Sequence, residues 1–183
     1  MDTVIKATFE NLYAKDKAVQ NDAYDALMEA TQQPVDWAYD VWDELVAGLT
    51  HKDNHIRAIT SQILCQLAIS DPDQRMMKDF DVLLNVTRDE RFVTARHCLQ
   101  TIWKVGLAGE QQRQMVMDGL TMRYQDCTAE KNTTLIRYDI IQDLRHLYDA
   151  TGDESVKSRA LMLIETEPDT KYRKKYATIW KNA

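Results

Sequence analysis

The pentapeptide Asp53-Asn54-His55-Ile56-Arg57 is one copy of a pattern that recurs along this chain. The pattern is an acid, two polar residues, a hydrophobic residue and usually a base, and each copy opens an amphipathic segment. Two close copies and two looser ones begin at Asp153, Asp169, Asp16 and Asp89. A short unit repeated in this way cannot bury its apolar face alone, so it predicts helices that stack on their neighbours.

Apolar residues recur with a period near 3.6 in ten segments, which is typical of amphipathic helices. In the central segment, Ile56, Ile63 and Leu67 define one such stripe. The acids of the recurring pattern precede their stripes by about one turn, where a carboxylate can accept the free N–H groups of a helix start. Asp71 and Pro72 likewise predict an N-cap followed by a first helical residue. The ten predicted helices span residues 3–14, 17–31, 35–49, 54–69, 73–87, 90–105, 110–126, 132–150, 154–166 and 170–181.

These helices pair into five hairpins, and the chain resembles the HEAT-repeat family, in which the second helix often opens with Asp, two residues, Val or Ile, and Arg. The matching triads are Asp53/Ile56/Arg57, Asp153/Val156/Lys157 and Asp169/Tyr172/Arg173. Three units depart from the pattern. In the fourth unit Ile136-Arg137 fits, but Thr133 replaces the acid. In the third and first units, Val93 and Gln20 stand where the base is expected. The copy at Asp153 precedes the copy at Asp169 by only 16 residues. We therefore expect it to open the first helix of its hairpin rather than the second. The resemblance implies one all-α domain over residues 1–183, an α-α superhelix of five HEAT-like hairpins. Tetratricopeptide repeats and a compact helical bundle are the alternatives.

Composition narrows the class of protein. Five Gly and three Pro disfavour both long disordered tracts and an all-β chain with many tight turns. The formal net charge of −6 argues against a general nucleic-acid or anionic-membrane binder. The three cysteines are widely spaced and odd in number, which is typical of reduced thiols. No apolar run reaches the roughly 20 residues that span a bilayer. We therefore expect a cytoplasmic protein without a membrane partner.

A candidate partner-binding row lies opposite the apolar stripes of the second helices. In HEAT-like solenoids these helices line the concave surface, so the resemblance implies that the row forms its floor. Small, polar and aromatic side chains together suit a protein or peptide partner. The row consists of Ser61, Gln62, His97, Thr101, Tyr138, Gln142 and Arg145.

Other conspicuous residues have structural interpretations. The Asp/Arg pairs are expected to be helix caps and inter-repeat ion pairs, and Trp42 and Trp103 lie on apolar stripes that predict core packing. His51 and His55 straddle a predicted helix start without a third ligand, so they do not predict a metal site. We predict no catalytic residue, cofactor or metal, and the sequence favours a non-enzymatic scaffold for an unidentified protein or peptide.

A cluster of basic and aromatic residues favours nucleic-acid binding instead. The segment 171–181 carries five basic residues beside Tyr172, Tyr176 and Trp180, a combination that can grip phosphates and stack bases. The alternative function is therefore a HEAT-like DNA-binding glycosylase that repairs alkylated bases, and a HEAT-like bilin lyase is a further rival. The first 50 residues hold ten acidic and three basic residues, which argues against nucleic acid lying along the whole chain.

Overall fold

The computed structural model describes residues 1–183, which form helices and connecting turns with no strand. This confirms the predicted all-α class, and the ten predicted helices are all present. Three short 3₁₀ helices, Ala68–Ser70, Ile102–Leu107 and Cys127–Ala129, accompany them. The α-helices are α1 Thr3–Asn11, α2 Lys17–Ala30, α3 Ala38–Gly48, α4 Asn54–Leu67, α5 Met76–Val86, α6 Phe92–Leu99, α7 Glu110–Asp126, α8 Thr133–Thr151, α9 Glu154–Glu165 and α10 Thr170–Ile179.

The chain divides into two compact units. Unit 1 is Met1–Cys98 and unit 2 is Leu99–Ala183. In unit 1, α1 packs on α2 and α3 on α4, and further contacts join α2 to α4 and α3 to α5. First helices therefore contact first helices and second helices contact second helices, as expected of stacked hairpins. The core of unit 1 is closed by fully buried side chains that include Trp42, Leu45, Ile63, Leu64 and Leu83.

Unit 2 repeats this arrangement. Helix α7 contacts α8 and α9, and α8 contacts α9 and α10. The 3₁₀ helix Ile102–Leu107 packs on both α7 and α8. Fully buried residues of this core include Leu120, Ile140, Leu144, Leu163 and Tyr176. These contacts fit stacked hairpins within each unit, whereas the superhelix of HEAT-like hairpins over residues 1–183, and the single domain it implies, remain predictions.

The helix starts confirm the predicted caps. The carboxylates of Asp16, Asp53, Asp153 and Asp169 each accept a hydrogen bond from the backbone N–H two residues further on, at 2.8–2.9 Å. Each bond satisfies one of the N–H groups that a helix start leaves without a partner. The acid of the recurring pattern is therefore a structural residue at these four positions.

The acid at position 71 acts differently from the prediction. Asp71 accepts from the backbone N–H groups of Arg75 and Met76 at 2.8 and 2.7 Å, so α5 starts at Met76. Pro72 lies in the preceding turn rather than at the first helical position. The left-handed conformation of Gln74, with φ 55°, lengthens this turn.

The predicted helix 90–105 is wrong in its second half. Helix α6 ends at Leu99, and the chain continues as the 3₁₀ helix Ile102–Leu107. Ile102 and Val105 are three residues apart and both buried, which matches the three-residue period of a 3₁₀ helix. At Gly106 an added Cβ would lie 2.9 Å from a methyl carbon of Leu147, so a larger side chain there would require Leu147 to shift.

Arginines tie the hairpins of each unit together. In unit 1, Arg57 pairs with both carboxylate oxygens of Asp89 at 2.5 and 2.9 Å, joining two copies of the recurring pattern. In unit 2, Arg137 donates to Glu167 at 2.9 Å, and Arg173 donates to the backbone oxygen of Glu167 at 2.9 Å. These contacts support the structural interpretation of the Asp/Arg pairs. None of the helices is both long and apolar enough to cross a bilayer.

Candidate functional site

The predicted binding row divides into accessible and buried residues. Ser61 and Thr101 are buried, at 0% and 7% exposure, so a partner cannot reach them without rearrangement. The remaining five residues are at least partly accessible: Gln62 and His97 in unit 1, and Tyr138, Gln142 and Arg145 in unit 2.

The burial of α4 on most of its sides explains why Ser61 is inaccessible to a partner. Ten of its 14 residues are buried, including polar ones on the side opposite the apolar stripe. Ser61 donates its hydroxyl to the backbone oxygen of Ala58 at 2.8 Å, and Thr60 donates to that of Ile56 at 2.8 Å. These local bonds let hydroxyls lie in the interior without an unsatisfied group. A polar residue opposite a stripe is therefore not always outward.

Unit 1 has a small pocket at the remaining accessible part of the row. Its cavity is about 130 Å³ and is lined by residues of α2, α4 and α6. The Tyr24 hydroxyl donates to Oε1 of Gln62 at 2.9 Å, and Nε2 of Gln62 donates to the backbone oxygen of Ala58 at 3.0 Å. The lining is completed by Asn21, His55, Ile59 and His97.

The imidazole of His55 is the unusual group of this pocket. Its Nε2 atom is inaccessible to solvent and has no hydrogen-bond partner. Burial is the largest cause that lowers the pKa of His55, followed by the charge of Lys17, while Asp53 acts in the opposite direction. The ring is therefore neutral at pH 7, and one of its nitrogens is directed at protein rather than at water.

Unit 2 presents an open face on α8. Tyr138, Gln142, Arg145 and His146 lie at spacings that place them on one side of the helix, and all four are partly or fully exposed. The opposite side is buried and includes Ile140, Leu144 and Leu147. We call this set of four residues, together with Lys171 and Lys175 of α10, the unit 2 face.

The two lysines of the unit 2 face lie near aromatic rings, one of the face itself and one of α10. Lys175 Nζ is 4.9 Å from the centroid of the Tyr138 ring, and Lys171 Nζ is 5.6 Å from that of Tyr172. The buried Tyr176 holds α10 in place because its hydroxyl donates to the backbone oxygen of Thr134 at 2.7 Å. Cation–π contacts of this kind stabilise a positive charge beside an apolar surface.

Arg145 links the two helices of the face. It donates to Asp149 at 2.7 Å and to the backbone oxygen of Ile179 at 2.8 Å. Its guanidinium carbon also lies 5.7 Å from the centroid of the Trp180 ring. Trp180 is only 6% exposed, so it covers the end of unit 2 rather than offering a free ring.

Two residues beside the face were not in the predicted row. The rings of Trp103 and His146 are 5.3 Å apart, and Nε2 of His146 lies 3.1 Å from Nε2 of Gln142. Trp103 is partly exposed, which corrects its predicted core position. The cause is the change to a 3₁₀ helix, in which Ile102 rather than Trp103 lies inward. His146 follows Gln142 by four residues, a spacing that could have added it to the row.

Another groove lies elsewhere in unit 1, between the α3–α4 and α5–α6 connections. It measures about 380 Å³, and Lys52, Arg57, Asn85 and Asp89 are among its lining residues. Arg57 and Asp89 already pair with each other there. The groove therefore lies over a structural contact.

Known proteins do not supply a function for these surfaces. Comparison of the chain with models of known protein families and with curated proteins found no match to either. The structure contains no cluster of three or more His, Cys, Asp or Glu residues able to hold a metal ion. The three cysteines are buried and form no disulfide.

Proposed function

We propose that this protein is a non-enzymatic, HEAT-like scaffold that binds a protein or peptide through the open faces of its second helices. The observation that supports this most directly is the unit 2 face, where Lys175 lies over the ring of Tyr138. Aromatic and cationic side chains beside adaptable polar groups are typical of protein-binding surfaces.

The chemistry of the face specifies the kind of partner. Lys171 and Lys175 are exposed, while Gln142 offers an amide that can donate and accept. Tyr138 supplies apolar area. A segment that carries Asp or Glu beside aliphatic or aromatic residues would meet both the charges and the ring. The partner that this face fits best is therefore an acidic, partly apolar peptide segment.

A selection from random displayed peptides tests the proposal. We expect the enriched peptides to be acidic and partly apolar. Their affinity, measured by fluorescence anisotropy, should fall about tenfold or more in the double variant Lys171→Glu/Lys175→Glu, because like charges then face each other. The matched control is Lys6→Glu/Lys78→Glu, which makes the same charge change on exposed residues of unit 1 and should leave the affinity unchanged.

Fluorescence anisotropy also tests the alternative function, a DNA-binding glycosylase. The basic and aromatic residues of α10 are the one feature that favours nucleic acid. We expect a labelled duplex to bind no more tightly than roughly 10⁻⁴–10⁻⁶ M at physiological salt, the ordinary non-specific range. Sub-micromolar binding of duplex DNA, or excision of an alkylated base, would replace the scaffold by the glycosylase. Selection of no peptide, or equal affinity for both double variants, would contradict the peptide-binding face.

A further inference from the structure

The outer face of α10 carries positive charge that nothing in the chain neutralises. Segment 170–183 contains five basic residues and no acidic one. Lys174 lies on α10 and Lys181 in the turn that follows it, and both are exposed. Neither lysine is part of an ion pair or of the unit 2 face. We call these two residues the basic pair.

Helix α2 carries the opposite charge on its outer face. Asp22, Asp25 and Glu29 are all exposed, and their spacing places them on one side of the helix. The other side is buried and includes Ala23 and Leu27. No ion pair of the structure includes any of the three carboxylates. We call the three acids the acidic stripe.

The sequence around the acidic stripe supplies no base to balance it. Residues 18–51 contain seven acidic residues, all exposed, and no lysine or arginine. Opposite charges one turn apart stabilise a solvated helix, whereas like charges at that spacing repel each other. Asp22 and Asp25 are such a like pair, and so are Asp25 and Glu29. A cationic surface laid against the stripe would offset this repulsion.

The two surfaces match in length as well as in sign. The acidic stripe extends over seven residues from its first to its last carboxylate, which is about 10 Å along an α-helix. The basic pair is also seven residues apart, or roughly 10–12 Å with its final turn included. An exposed alanine lies between the charges of each surface, Ala26 in α2 and Ala177 in α10. Such small side chains let two helices approach closely, so the longer charged side chains can meet.

We infer that the outer face of α10 is a docking surface for a second copy of this chain, which places its acidic stripe on the basic pair. Charge complementarity selects this occupant, because every copy carries both surfaces and neither is paired within its own chain. Two acidic stripes repel each other, as do two basic pairs, so the contact joins α2 of one copy to α10 of the other. The interface is therefore heterologous. It does not depend on peptide binding by the unit 2 face.

Sedimentation equilibrium of the full chain tests the association. At about 0.01 M salt the Debye length is about 30 Å, and we expect self-association with a Kd on the order of 0.1 mM or tighter. At about 1 M salt this length falls to about 3 Å, so the protein should be monomeric. A monomer at low salt and roughly 1 mM protein would overturn the inference. Association that high salt does not weaken would overturn it as well.

Two neutralised variants separate the surfaces. Lys174→Gln/Lys181→Gln removes the basic pair, and Asp22→Asn/Asp25→Asn/Glu29→Gln removes the acidic stripe. Each variant alone should associate about tenfold or more weakly than the parent protein at low salt. An equimolar mixture of the two should form a 1:1 complex, because each variant keeps the surface that the other lacks. A change in net charge alone would not produce this complex.

Matched controls change the same number of charges at other exposed positions. They are Lys6→Gln/Lys78→Gln and Asp81→Asn/Glu90→Gln/Glu165→Gln, and both should associate like the parent protein. Absence of the complex from the mixture, or an equal loss of association in the controls, would overturn the inference. No peptide is present in these experiments, so their failure leaves the peptide-binding face intact. That face fails separately, in the peptide selection.

Discussion

Helices α4 and α8 are both second helices of hairpins, yet they present opposite surfaces. In unit 1, ten of the 14 residues of α4 are buried, and a small pocket lies at His55 and Gln62. In unit 2, α8 leaves Tyr138, Gln142 and Arg145 open and receives lysines from α10. The difference shows that two helices with the same spacing of apolar residues can carry either a small pocket or an open charged face.

Each unit has an ion pair between an arginine and a buried acid. Arg137 lies in the interior of unit 2 and donates to Glu167, to the backbone of Tyr124 and to Thr128. We expect Arg137→Ala to cost about 3–5 kcal/mol in the free energy of unfolding, because it leaves the carboxylate of Glu167 buried without its partner. Arg57→Ala in unit 1 should cost a similar amount, because the Arg57 side chain is 14% exposed against 11% for Arg137, and Asp89 would likewise lose its partner.

Chemical denaturation of both single variants measures this comparison. The double variant Arg137→Met/Glu167→Gln is the control, because removing both charges avoids the unpaired carboxylate and should restore much of the loss. A larger cost for Arg57→Ala than for Arg137→Ala would mean that the pair at Asp89 is the more important contact.

Core truncations test whether the two units unfold together. Ile63 and Leu144 are both fully buried, one in each unit. Either change to Ala should cost roughly 2–5 kcal/mol, because it leaves a cavity. We expect one cooperative transition in each variant, because the proposed scaffold has few repeats and neighbouring repeats of such a scaffold are coupled. Two separate transitions in urea would show that the units fold independently, and a loss below about 0.5 kcal/mol would contradict the inward position of that residue.

The helix caps give a smaller contrast. Asp53 is exposed and caps His55, whereas Asp153 caps Ser155 and also pairs with Arg113 at 3.0 Å. We expect either change to Ala to cost roughly 0.5–2 kcal/mol, with Asp153→Ala at the upper end. Thermal melts of the two variants, with Asp22→Ala as an exposed mid-helix control, measure the difference. Equal values would show that the Arg113 contact adds nothing.

Acid should remove the advantage of Asp153. Bonds from Ser155, followed by the contact with Arg113, lower the pKa of Asp153. Its stabilising contribution is therefore present above the carboxyl's unfolded pKa near 3.9 and is lost as the pH falls through the lower folded value. Asp153→Asn should flatten the pH dependence of stability in that range. An unchanged acid limb in this variant would exclude the contribution.

Much of this architecture could be predicted because local signals determine it. Asp16, Asp53, Asp153 and Asp169 each act within their own turn, so sequence spacing alone locates those helix starts. The site was harder to predict. An apolar stripe marks only one side of a helix and therefore predicts that Ser61 lies outward, whereas the burial of Ser61 depends on α4 having neighbours on other sides. The stripe also predicts that Trp103 lies inward, but the break after Leu99 rotates the residues beyond it, and no local signal specifies that break.

The smallest expected effect is the pH dependence of stability that comes from two histidines, His55 in unit 1 and His146 in unit 2. Burial, aided by Lys17, lowers the pKa of His55, and burial followed by the charge of Arg145 lowers that of His146 against the effect of Asp149. A lowered folded pKa means that the unfolded chain binds more protons near pH 6.5. Stability should therefore be constant above about pH 7 and decrease as the pH falls through 6.5, levelling off below the folded pKa values.

His55→Leu should reduce this slope more than His146→Leu, because His146 is exposed and solvent screens its neighbours. Urea melts between about pH 5 and 8 compare the two variants with the parent protein. An equal change in slope for both variants would show that the protein lowers the pKa of His55 no more than that of His146.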